Sequence, residues 1–175
     1  MVVLRYCIFA LLIAIGSVSV EAQDKKQFSG VYLGVEGGFL DVGTDNGLAY
    51  GVFLGYRYQT NGNLVLGTEF SVLGQNGSGD NQPDGDGAIL SWLGTVGFAT
   101  GEENKTLYTI GAGAINGFDI DNSGGFFNSN DGFVILAGYE RALGSGFVVR
   151  LRGQYIDFGE GLNGYTATVG LLFNF

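Results

Sequence analysis

The closing residues of the chain alternate sides: Tyr165, Ala167, Val169, Leu171, Phe173 and Phe175 share one face, and Thr166, Thr168, Gly170 and Asn174 the other. A period of two is the signature of a strand. The same alternation recurs in eight segments, near residues 28–40, 48–59, 63–74, 87–99, 106–118, 132–143, 147–157 and 164–175. Each has about the length, roughly 9 to 11 residues, that a tilted strand needs to cross a bilayer. Connector lengths alternate too. Those after the first, third, fifth and seventh strands (41–47, 75–86, 119–131 and 158–163) are mostly long and polar, whereas 60–62, 100–105 and 144–146 are tight. The pattern predicts an all-β fold, an eight-stranded antiparallel up-and-down transmembrane β-barrel with its long loops at one end and its short turns and termini at the other.

The contents of the two faces decide which one points inward. In the second strand Tyr50, Val52, Leu54, Tyr56 and Tyr58 oppose Gly51, Phe53, Gly55 and Arg57; in the seventh, Phe147, Val149, Leu151 and Tyr155 oppose Arg150, Arg152 and Gln154. A soluble lipocalin-type barrel would turn the apolar face inward, where these aromatics have no room. The small and charged face is therefore the inner one. This puts Glu36, Glu69 and Glu140 in the lumen with Arg57, Arg150 and Arg152, three acids against three bases. An arginine on the lipid face would cost roughly 2 to 4 kcal/mol at mid-membrane, and an unpaired charge in a narrow lumen is also expensive, so pairing is expected. A three-residue loop at 144–146 would set Leu143 opposite Phe147 and Glu140 opposite Arg150. Because eight strands enclose only enough space for side chains, the charges read as a plug. The alternative is a narrow porin-like channel for ions or small solutes.

The first residues have a different character. A positive charge at Arg5, an apolar run from Tyr6 to Ile15 and small residues around Val20-Glu21-Ala22 describe a secretory signal peptide, cleaved after residue 22. The apolar run is too short for a membrane-spanning helix, which needs roughly 20 residues. Residues 23–175 are then one barrel domain, and the single cysteine, Cys7, is lost with the leader.

The two ends of the barrel segment carry a family resemblance. The terminal strand ending on Phe175 is similar to that of bacterial outer-membrane β-barrel proteins, and Phe28-Ser29-Gly30-Val31-Tyr32-Leu33-Gly34-Val35-Glu36-Gly37-Gly38 resembles the first strand of the small OmpA-like and opacity-like surface barrels. The resemblance implies an integral place in the Gram-negative outer membrane, in contact with its lipid and lipopolysaccharide. It also implies that Phe175 is part of the signal read by the barrel-assembly machinery. No segment resembling a peptidoglycan-binding domain is recognised, so a cell-wall tether is not expected.

Composition and charge narrow the chemistry. Glycine supplies 33 of 175 residues and proline one, a balance that suits strands and turns better than helices. Removing Arg5 and Glu21 leaves 7 basic and 16 acidic residues, so the net charge stays at 7 − 16 = −9. Asp41, Asp45, Asp80, Asp84, Asp86, Asp119, Asp121, Asp131, Asp157 and Glu160 lie in or beside the long loops without any Lys or Arg. Nucleic acid is excluded as a partner, since phosphate binding needs a basic footprint. These carboxylates offer oxygen ligands to divalent cations at a lipopolysaccharide surface, or a surface for a basic partner, although the plainer reading is a solvated loop surface. Asp80, Asp84 and Asp86 lack EF-hand spacing, so no metal site is assigned. The run Gly111-Ala112-Gly113-Ala114-Ile115-Asn116-Gly117 is not a dinucleotide fingerprint, because Phe118 to Gly125 cannot form the required helix; these glycines are expected to face a crowded lumen. With no histidine in the chain there is no Ser-His-Asp triad. No catalytic residue and no cofactor are predicted, and the expected protein is a monomeric, non-enzymatic barrel.

Overall fold

The computed structural model describes residues 26–42, 45–77, 87–119, 130–159 and 162–175. Residues 1–22, along with Asp80, Asp84, Asp86, Asp121 and Glu160, lie outside them. Eight strands, β1 (Gly30–Val42), β2 (Asp45–Gln59), β3 (Leu64–Gly77), β4 (Gly87–Thr100), β5 (Thr106–Asp119), β6 (Asn130–Gly144), β7 (Phe147–Asp157) and β8 (Asn163–Asn174), pair antiparallel in chain order. Pairing of β1 with β8 closes the sheet into a barrel.

The ladder does not close level. Partners followed from Val35 through Val52, Val72, Leu90 and Asn116 arrive at Asp131 on β6, whereas those followed through Leu171 and Val149 arrive at Arg141. The stagger is 141 − 131 = 10 residues over eight strands. Such a shear tilts the strands by about 35 to 45°. The interior of an eight-stranded barrel is narrow enough for side chains to fill.

Alternation is strict enough to sort every strand. Along β8, exposed and buried residues take turns from Asn163 to Leu172. Outward Leu48, Trp92, Ile110 and Tyr165 are 72, 70, 63 and 63 % exposed, a display of large apolar groups of the kind that a membrane-facing surface carries. Inward apolar residues form two separate clusters. One, at the end with the tight turns, contains Phe28, Tyr32, Phe53, Val65, Leu107, Val148 and Leu172. The other, at the loop end, contains Leu40, Leu73, Leu93, Ile115, Val134 and Ile156, with Phe158 packed against it.

Two local expectations need correction. The connector expected at 41–47 is much shorter, because β1 continues to Val42 and β2 starts at Asp45, paired with each other. Polar alternation beyond the apolar band, in Asp41 and Asn46, still supports ladder hydrogen bonds once the strands clear the lipid. Leu143 does not face Phe147. Gly144 does, and Leu143 lies at a register shift between Ala142 and Gly144. The cause is the turn itself: Ser145 and Gly146 have φ of 52° and 82°, the doubly left-handed geometry of a two-residue hairpin turn. The extra residue is absorbed as a bulge, and the pairing of Glu140 with Arg150 is unaffected.

Candidate functional site

Between the two apolar clusters lies a layer of ions. Glu36 from β1, Arg57 from β2, Glu69 from β3, Glu140 from β6, and Arg150 and Arg152 from β7 all point inward and are only 1 to 6 % exposed. They form an unbroken series of alternating sign. Arg57 grips Glu140 with a two-pronged contact, its Nη1 donating to Oε2 at 2.7 Å and its Nη2 to Oε1 at 3.0 Å. Arg150 bridges two carboxylates, with Nε donating to Glu140 at 2.9 Å and Nη1 to Glu69 at 2.9 Å. Arg152 Nη2 donates to the other oxygen of Glu69 at 2.6 Å, and Arg152 Nη1 lies 3.7 Å from Glu36. The series ends at Glu36, whose second oxygen accepts from Thr168 Oγ1 at 2.9 Å.

The strand order explains why the series spans the lumen. Arg57 and Glu140 stand on β2 and β6, strands four places apart in the eight-strand ring, so their contact crosses the interior. Long side chains need empty wall opposite them, and inward glycines provide it. A Cβ on Gly55 would run into the Tyr32 ring, and one on Gly34 into the Phe53 ring. The sequence glycines Gly111, Gly113 and Gly117 also face inward, where a Cβ would meet Gly94 O, Trp92 O and the Phe158 ring respectively.

Aromatic rings complete the layer. The Arg57 guanidinium carbon lies 3.9 Å from the centre of the Tyr32 ring and that of Arg150 lies 4.2 Å from the centre of Phe53, both within cation–π range. Tyr32 also donates its hydroxyl to Glu69 Oε2 at 2.7 Å. Sequence reading passed over Tyr32 and Thr168. Their signal was present, since Tyr32 shares its parity with Glu36 on one strand and Thr168 faces inward beside Thr166 on another. Each carboxylate thus meets charged or hydroxyl donors, the condition under which buried ions are tolerated. Among the described residues no group of His, Cys, Asp or Glu side chains is arranged to hold a metal ion.

Phe175 lies at the turn end, on the seam. Its backbone N donates to Val31 O at 2.8 Å, its ring meets Phe173 edge-on at 5.0 Å, and Asn174 N donates to Gly146 O at 2.8 Å. Gly30, with φ of 116°, lets the Phe175 carbonyl approach closer than any Cβ would allow.

Comparisons with known proteins agree on the architecture. Neisserial surface protein A has a TM-score of 0.61 at 14 % identity, with 84 % of this chain and 98 % of that one aligned. Ail, the attachment invasion locus protein of Yersinia pestis, has a TM-score of 0.58 at 18 % identity, covering 84 % of this chain and 99 % of that one. The outer membrane enzyme PagL shares the fold as well, with a TM-score of 0.53 at 12 % identity over 81 % of this chain and 99 % of that one. No curated protein matches the chain in sequence. The family model of the outer membrane protein beta-barrel domain matches residues 10–175, nearly the whole chain, and it agrees with the closed barrel and its apolar exterior: the chain belongs to this outer-membrane family.

Proposed function

We propose that this outer-membrane barrel is a non-conducting, non-enzymatic surface protein: a closed scaffold that presents acidic loops outside the cell, with its lumen plugged by its own side chains. The observation that carries this reading is the burial of the six-ion series between two apolar clusters. A water-filled conduit would leave those charges solvated, and the porin-like alternative needs such a conduit. The absence of histidine from the chain supports a non-enzymatic role.

In this reading residues 1–22 are the export signal, and Phe175 contributes to recognition by the barrel-assembly machinery. In the same reading the barrel works as a monomer in contact with lipid and lipopolysaccharide. The loop carboxylates, with no Lys or Arg among them, meet lipopolysaccharide phosphates through divalent cations. Single-channel recording in planar bilayers tests the central part. The purified barrel is expected to insert without discrete conductance steps, whereas reproducible unitary steps would establish the channel instead.

A further inference from the structure

The lipid-facing wall holds a notch of about 520 Å³ across β6, β7 and β8. Its floor is Ala137, Gly153 and Ala167, which pair side by side, and its lower wall is Tyr139, Leu151 and Val169. Gly153 is the informative residue. Glycine weakens a strand interior and marks close approach of another group, yet a Cβ on Gly153 would meet nothing nearer than Thr166 O at 4.0 Å. Gly153 is exposed and, like outward Gly37 and Gly94, makes only ordinary contacts within its own barrel, but of these three it is the one that lines the notch.

Below the notch on the same outward face of β6, two positions beyond Tyr139, stands Arg141. It is exposed, and Thr106 Oγ1 holds its Nη1 at 2.6 Å. From Ala137 to Arg141 is four residues, roughly 13 Å along a strand. That fits within the depth of one leaflet, half of a hydrocarbon core of about 30 Å. The Arg141 end carries the tight turns, the end that faces the periplasm in outer-membrane barrels. The lipid at that depth is therefore a phospholipid of the periplasmic leaflet.

We infer that Arg141 and the Ala137–Gly153–Ala167 notch form a binding site for one anionic phospholipid, the phosphate on the Arg141 guanidinium and an acyl chain in the notch. A fixed guanidinium supplies charge-assisted hydrogen bonds to a phosphate, and the groove gives the chain more contact than a smooth wall would. The two parts are separable by mutation. Arg141→Gln removes the charge, and Gly153→Val fills the groove with a residue that strands favour, so folding is preserved.

Native mass spectrometry of the full barrel, released from detergent after incubation with palmitoyl-oleoyl-phosphatidylglycerol or the matching phosphatidylcholine, reads the site directly. The wild type should retain a single phosphatidylglycerol and discriminate against phosphatidylcholine. Each variant should lose that adduct by about tenfold, while still shifting its gel migration on boiling as a folded barrel does. Equal retention of the two lipids by the wild type, or unchanged retention in either folded variant, overturns the inference. A wild-type dimer abolished by Gly153→Val would assign the notch to a second copy and overturn it as well. Should Gly153→Val not fold, Ala167→Val fills the same groove and carries the same expectations.

Discussion

Arg150 stands in the middle of the ion series. It is 2 % exposed, touches two carboxylates and lies against Phe53. Replacing it with alanine strands Glu69 and Glu140 without a shared partner, so Arg150→Ala should cost roughly 3 to 5 kcal/mol in reversible urea unfolding. Removing Glu140 as well should cost less than the sum of the two single changes. Additive small effects would mean that water already solvates both groups. A gentler test is Tyr32→Phe, which keeps the ring over Arg57 and deletes the hydroxyl on Glu69. Hydrogen bonds to charged groups contribute about 1.5 to 3 kcal/mol, and a loss in that range is expected by the same measurement. All six charges could be assigned an inward direction from the sequence, because a one-residue error in parity would have put an arginine into lipid. Their partners were much less legible. Glu140 and Arg150 are neighbours across one hairpin, but Arg57 and Glu140 are 83 residues apart, and their meeting depends on shear and side-chain reach.

At the scale of elements, the seam between β1 and β8 completes the barrel. Eleven register pairs join these strands, from Tyr32 with Asn174 to Val42 with Gly164. Phe175 lies just past the ladder and fastens to Val31 through its backbone. Deleting Phe175 should lower the yield of heat-modifiable barrel in outer-membrane fractions while leaving export intact. Wild-type amounts of folded barrel in the deletion strain would remove the assembly role from this residue. Strand positions were readable because the period-two signal is long and continuous. The first connector and the Leu143 bulge were not, since both depend on where backbone pairing stops, and polar residues at a membrane edge serve strand and loop equally well.

For the whole molecule, the layering matters more than any single contact. An apolar cluster at the turn end, a sheet of ions, and a second apolar cluster at the loop end succeed one another along the axis, and the proposed plug rests on that order. Wall and filling came from one sequence pattern, with large apolar groups outward and glycines, ions and a few aromatics inward. What the pattern could not convey was the vertical sorting of the inward residues, which arises only when the tilted strands bring distant positions to one height.

The barrel contains four arginines, and they provide their own control: Arg57, Arg150 and Arg152 are buried in the lumen, and Arg141 is exposed on the outer wall. Hydrogen exchange of the arginine Nε–H groups, followed by NMR on the folded barrel in micelles, therefore measures directly whether water reaches the lumen. Slow exchange at Arg57, Arg150 and Arg152 beside fast exchange at Arg141 is the predicted result. Exchange at all four on the time scale of Arg141 would contradict the plugged lumen.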